Sequence, residues 1–93
     1  ILINNRGGGI FKILTKDNNS EIFKKFFETK HQLSAKELCK MYGFEFYDSD
    51  DESNLKSMLS NFYKPSKKPR LLEVIIDREN NQDYLLNYFD FIK

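Results

Sequence analysis

One cysteine, one histidine, two prolines and no tryptophan leave this chain poor in the residues that staple, ligate or stiffen small proteins. With Cys39 alone, no disulfide can close within the chain. A lone thiol and a lone imidazole, His31, also fall short of a structural zinc site. Net charge is scarce too: Lys and Arg total 15 against 14 for Asp and Glu, so no long-range field selects nucleic acid or an anionic membrane surface. No stretch approaches the roughly 20 apolar residues that a helix needs to cross a bilayer. An unpaired thiol fits a reducing compartment, and a cytoplasmic protein is expected.

What is present is apolar and aromatic. Hydrophobic residues make up 40 % and charged residues 31 % of 93 positions, the balance of one small globular domain or of a piece of a larger one. Nine phenylalanines and five tyrosines are expected mostly in the core, with some at an interface. The sequence opens on Ile1, inside an apparent strand. It is therefore expected to be part of a longer protein.

Periodicity orders the chain. The apolar run ILIN (1–4) reads as a buried strand, and NRGGG (5–9) as a turn behind it. IFKIL (10–14) fits a helical turn or a loop, and TKDNNS (15–20) is turn-like. From Glu21, the residues Ile22, Phe23, Phe26 and Phe27 recur at helical spacing, with Asn19 or Ser20 as cap. In LSAKELCKMYG (33–43), Ser34 and Glu37 make a capping box, Leu38, Met41 and Tyr42 share a face, and Gly43 suits the C′ position. FEFY (44–47) alternates as a strand, and acidic residues lead into a helix bearing Leu55, Met58, Leu59 and Phe62. LLEVIID (71–77) is the most continuous apolar run, followed by a closing helix over 81–93. Such alternation predicts an α/β, three-layer fragment with a short parallel sheet. Its strands are 1–4, 44–47 and 71–76, the last in the middle and the alternating 44–47 at an edge.

The three consecutive glycines carry the chemical signal. In open α/β sheets ligands bind at the carboxyl ends of strands, and residues 5–9 follow one. Positions without side chains admit a polyanion to the main chain. Asn5 and a backbone carbonyl suit a hard cation that keeps phosphate oxygens and water as its other ligands. No Lys-Ser/Thr pair follows, as a Walker loop requires, and the spacing is not that of a dinucleotide fingerprint. A plain tight turn would use the same residues.

ILINNRGGGIF resembles the second half of the thiamine-diphosphate motif, in which a Gly-Asp-Gly segment is followed by a strand ending in Asn-Asn. The form N-N-x-G-G-x-I-F is similar to the menaquinone-pathway branch, the MenD family of 2-succinyl-5-enolpyruvyl-6-hydroxy-3-cyclohexene-1-carboxylate synthases. FFETKHQLSAKELCKMYGFEFY and LLEVIIDREN resemble later stretches of that family, so the likeness spans the chain, with residues 1–11 the most specific. It implies that Asn5, through its side chain, and Gly7, through its carbonyl, ligate Mg²⁺ (or Mn²⁺). It implies that Gly8 and Gly9 run beside the diphosphate, and that Ile10, Phe11 and Leu14 flank the thiazolium ring and substrate. Arg6 replaces a more usual asparagine and receives no role.

The resemblance further implies the C-terminal portion, residues 1–93, of a thiamine-diphosphate-binding domain that is incomplete here. The metal-binding aspartate and the glutamate that activates the cofactor lie outside it, so no catalytic residue is expected within the chain. The family reaction decarboxylates 2-oxoglutarate and adds the resulting succinyl carbanion to isochorismate. Expected partners are the rest of the same enzyme, a second subunit and small-molecule substrates, with no nucleic acid and no membrane. Alone, the chain is expected to be inactive and to bind neither cofactor nor metal. An acetolactate-synthase-like thiamine enzyme, or a non-catalytic α/β module for oligomerisation or ligand binding, are the competing readings.

Other candidates have plainer readings. His31 suits a surface or capping position, and Cys39 a small buried hydrophobe. Glu73 and Asp77 would share a strand face, but their apolar neighbours favour burial over a metal-binding pair. The basic run KPSKKPR (64–70) reads as a solvated loop.

Overall fold

The run centred on Leu72 forms the strand around which the sheet assembles. The computed structural model describes residues 1–14 and 20–93. Along the chain come β1 (Leu2–Asn4), α1 (Ile10–Leu14), a π-helical segment (Phe23–Phe27), α2 (Lys36–Tyr42), β2 (Glu45–Ser49), α3 (Glu52–Phe62), β3 (Arg70–Ile75) and α4 (Arg78–Ile92). They divide into two compact units, Ile1–Asn4 with Leu33–Ile76 and Asn5–Gln32 with Asp77–Lys93. The turn expected over 15–20, apart from Ser20, lies outside the described residues, as does Asn19.

The first unit holds a parallel sheet in the order β1-β3-β2. As expected, β3 is central and β2 is an edge. Register pairs Leu2 with Glu73 and Tyr47 with Leu72, so Tyr47 and Leu72 share one face and Glu73 points to the other. On the first face the Tyr47 ring meets Phe62 of α3 edge-on, with centroids 6.5 Å apart. On the second, Glu73 reaches Ser34 and Ala35, just before α2. Helical chain thus covers both faces, as a parallel sheet requires. Full burial of Leu72 contributes roughly 1.5–3 kcal/mol.

Glu73 is also fully buried. Its carboxylate accepts from Asn4 Nδ2 at 2.7 Å, from Ser34 Oγ at 2.5 Å and from the Ala35 N–H at 3.4 Å. Asn4 Nδ2 donates as well to the Leu33 carbonyl, at 2.9 Å. One carboxylate therefore joins the end of β1, the 33–35 segment and β3, compensating the large cost of removing it from water.

Several local expectations change. β1 is not a buried strand: Ile1, Leu2 and Ile3 are 63 %, 39 % and 58 % exposed, because among the described residues β3 flanks it on one side only. β2 runs from Glu45 to Ser49 and leaves out Phe44. Ser34 and Glu37 make no capping box; the N-cap is Ala35, and the Ser34 hydroxyl donates to Glu73 while accepting the Lys36 N–H. Of α2, Cys39 is the buried residue, whereas Leu38, Met41 and Tyr42 are exposed. Gly43 does end that helix in the left-handed conformation, at φ 74°.

At the start of α3, Asp51 Oδ1 accepts the Ser53 N–H and Oδ2 the Ser53 hydroxyl; these bonds hold its carboxyl below the ordinary aspartate range. At the other end, Arg70 donates Nη1 to the carbonyls of Asn61, Phe62 and Lys64. Its Nε bonds Glu45 Oε2 at 2.6 Å, which lowers the Glu45 pKa. Of the basic run, residues 64–69 are exposed as expected, while Arg70 closes a helix.

In the second unit, the helix expected from Glu21 is π-helical over Phe23–Phe27, with the Glu28 N–H donating to the Phe23 carbonyl. Ser20 Oγ accepts the Phe23 N–H at 3.1 Å, as the capping reading requires. α4 carries Tyr84, Tyr88, Phe89 and Ile92 exposed. Most phenylalanines are likewise exposed rather than in the core; of them, Phe23 is the one buried among the described residues. The short elements of this chain offer too little surface to cover them.

Glu73→Leu removes the acceptor of the buried Asn4 amide, and an orphaned buried donor costs roughly 1–3 kcal/mol. Urea denaturation of the protein should show at least that loss, with a smaller one for Glu73→Gln. An unchanged midpoint for Glu73→Leu would contradict the role given to this carboxylate.

Candidate functional site

The five residues after β1 are organised by their own hydrogen bonds. The half-buried Asn5 accepts the Gly7 N–H on Oδ1 at 3.3 Å, a side-chain-closed turn of the kind Asn favours. Arg6 adopts φ 54°, and its carbonyl accepts the His31 N–H at 3.2 Å. Gly8 donates its N–H to the Glu28 carbonyl at 2.7 Å. These two bonds lay the loop antiparallel against residues 28–31. Gly7 alone lies between the rungs on the loop side, but Thr29 and Lys30 lie between them opposite. Thr29, at φ 42°, absorbs the extra residue much as a β-bulge does.

Room, not turning, explains two glycines. A Cβ on Gly8 would lie 2.7 Å from the Phe27 carbonyl oxygen, and one on Gly9 3.0 Å from Asn5 Nδ2. Neither adopts a positive φ. At Gly8, then, what approaches the bare main chain is the protein's own 27–28 backbone, and the Gly8 N–H is engaged by it. At Gly9 the approach comes from side-chain amides, Asn5 and, at 3.5 Å, Asn81.

The residues suit a metal-bridged diphosphate in part. An amide oxygen has two lone pairs, and Asn5 Oδ1 makes one long bond, so it retains acceptor capacity toward a hard cation. The space at Gly9 is one that a side chain would fill. Gly7 stands two residues on in the same closed turn, so the two proposed ligands belong to one local structure.

α1 starts beside this turn, the Lys12 N–H bonding the Gly9 carbonyl at 3.2 Å. The helix bears Ile10, Phe11 and Leu14, which are 61 %, 38 % and 70 % exposed. Phe11 packs edge-on against Phe27 with centroids 5.4 Å apart, and Phe27 stacks on the buried Phe23 at 6.2 Å. The loop, α1 and the π-helical segment are thereby joined by ring contacts and by main-chain bonds.

Two charged residues of this region carry no mark in the sequence. Glu28 is 3 % exposed and lies 3.3 Å from Lys12 Nζ and 3.2 Å from Lys30 Nζ. Lys12 and Glu28 are 16 positions apart, so no helical or strand period links them. The ambiguous IFKIL stretch hides a lysine that is nearly buried.

His31 is half-buried and supports the loop through its backbone. Glu73 is enclosed by hydrogen bonds, while Asp77 lies beyond the end of β3 and accepts from Asn80. Among the described residues no group of three or more His, Cys, Asp or Glu is placed to hold a metal ion, and no helix is long and apolar enough to cross a membrane. Cys39 is buried, as expected.

The chain is 45 % identical over all 93 residues to a 2-succinyl-5-enolpyruvyl-6-hydroxy-3-cyclohexene-1-carboxylate synthase of Christiangramia forsetii, covering 16 % of that protein. It belongs to this synthase family. Synthases of the same name from Flavobacterium johnsoniae and Flavobacterium psychrophilum are 42 % and 45 % identical over 89 residues, each covering 96 % of the chain and 16 % of the relative. The chain thus spans about a sixth of the length of the synthases it matches. No protein-family model matches it.

Gly8→Ala places a methyl group against a backbone carbonyl that cannot swing aside. In the full-length protein it should cost roughly 1–3 kcal/mol of stability and deprotect the amide of residue 8 in hydrogen exchange. Full tolerance would show that the 27–28 backbone does not hold this approach.

Proposed function

We propose that this chain is the C-terminal portion of the thiamine-diphosphate-binding domain of a menaquinone-pathway synthase, which decarboxylates 2-oxoglutarate and joins the succinyl unit to isochorismate. The observation that carries the reading is the likeness over all 93 residues to synthases of that name, together with the closed turn from Asn5 to Gly7 where the family motif falls. When bound, thiamine diphosphate supplies the carbanion chemistry, and the protein supplies binding, orientation and electrostatics.

In this reading Asn5 Oδ1 and the Gly7 carbonyl would hold Mg²⁺ or Mn²⁺, a hard cation that would supply positive charge for the diphosphate. The main chain at Gly8 and Gly9 passes beside the diphosphate, with Gly9 kept bare to let it approach. Ile10, Phe11 and Leu14 form an apolar wall that excludes water from the reacting end. No residue here moves a proton in the reaction. Those groups come from the rest of the enzyme and from a second subunit, so the chain alone is inactive, and the whole enzyme acts in the cytoplasm.

Asn5→Ala in the parent synthase should weaken thiamine-diphosphate binding in the presence of Mg²⁺ by at least about tenfold. The unfolding midpoint of the cofactor-free protein should stay close to wild type. Calorimetric titration and thermal unfolding measure the two. Unchanged cofactor affinity would remove Asn5 from the metal site.

A further inference from the structure

Glu28 reaches both the glycine loop and the helix that follows it, by different atoms. Its carbonyl accepts the Gly8 N–H at 2.7 Å. Its carboxylate pairs with Lys12 Nζ at 3.3 Å, and Lys12 sits in the middle of α1, between residues assigned to the apolar wall. Both side chains are withdrawn from water, at 11 % exposure for Lys12 and 4 % for Glu28. Lys30, whose side chain is half exposed, adds a second ammonium group 3.2 Å from the other carboxylate oxygen.

A withdrawn ion pair is an inefficient way to gain stability. Desolvation offsets much of the attraction, and a well-packed apolar pair often does as well. What such a pair does impose is geometry: a carboxylate and an ammonium group removed from water tolerate few arrangements, whereas apolar side chains slide. The place of this pair then matters. Glu28 lies at the end of the π-helical segment and next to Thr29 in the left-handed region, a backbone held by its surroundings and not by its own preference.

We propose that Glu28 is a positioning residue for the cofactor loop: its ion pair with Lys12 fixes α1 against the segment whose carbonyl holds Gly8, so that the Asn5–Gly9 turn and the apolar wall keep one relative placement. It acts through Gly8 and Lys12 and does not touch the cofactor. The role toward thiamine diphosphate rests on the function proposed above. The mechanical role does not.

The test uses the parent synthase with Glu28→Gln, Lys12→Met, the double substitution and Lys12→Arg. In cofactor-free protein, hydrogen exchange at the Gly8 amide should quicken in Glu28→Gln and Lys12→Met and stay near wild type in Lys12→Arg. With Mg²⁺, the dissociation constant of thiamine diphosphate should rise roughly 10- to 100-fold in either single variant, and no further in the double than in Glu28→Gln, because the Lys12–Glu28 pair is already lost there. If Glu28→Gln fails to fold, the two Lys12 variants carry the test. Unchanged Gly8 protection would overturn the mechanical role. A lowered unfolding temperature with wild-type cofactor affinity would reduce the pair to a structural one and overturn the proposal. Wild-type protein that binds no thiamine diphosphate would instead overturn the functional reading, and with it the role of Glu28 toward the cofactor.

Discussion

A carboxylate with no exposed surface holds the sheet unit in register. Glu73 collects hydrogen bonds from Asn4, Ser34 and Ala35, three points that the sequence keeps at least 38 residues from it. Without that acceptor, the polar end of β1 would have no reason to be buried, because Ile1, Leu2 and Ile3 ahead of it are exposed. The short β1 is thus anchored at its carboxyl end, where the chain passes from Asn4 directly into Asn5. A strand of three residues offers little apolar burial of its own. A shared buried acceptor compensates by specifying which residue ends it.

The glycine loop is built on a second constraint, the close approach of main chain to main chain. Gly8 is bare because the Phe27 carbonyl stands where its Cβ would be, and Gly9 because amide groups crowd it from the side. A glycine run near a strand end therefore has two demands on it at once, an internal one visible in the structure and the ligand approach proposed for it. The two are compatible. A loop that must present main chain to an anion is best held by bonds that leave no side chain in between, and the Arg6–His31 and Gly8–Glu28 bonds do that.

Much of the fold was legible because β3 announces itself as a continuous apolar run, and a central parallel strand is buried on both faces. Gly43 and the acidic start of α3 were legible for similarly local reasons, since a left-handed C-cap and a capping aspartate need only their neighbours. The Ser34–Glu37 capping box failed because Glu73, far along the chain, takes the Ser34 hydroxyl. The buried reading of β1 failed because apolar composition cannot tell an edge from a centre. At the candidate site, a turn at residues 5–9 followed from the residues themselves, whereas the Phe27 carbonyl that keeps Gly8 bare and the amides that crowd Gly9 did not. Lys12, Glu28 and the positive φ at Arg6 and Thr29 did not, because each depends on a pairing between distant segments that leaves no period in the sequence.

In the function proposed for it, the turn from Asn5 to Gly9 serves a metal-bridged diphosphate. A calorimetric titration of the full-length protein with thiamine diphosphate, run with Mg²⁺ and again after chelation of all divalent ions, tests this most directly. Saturable binding with Mg²⁺ that collapses on chelation is expected. Binding of equal strength in both, or none in either, would contradict it.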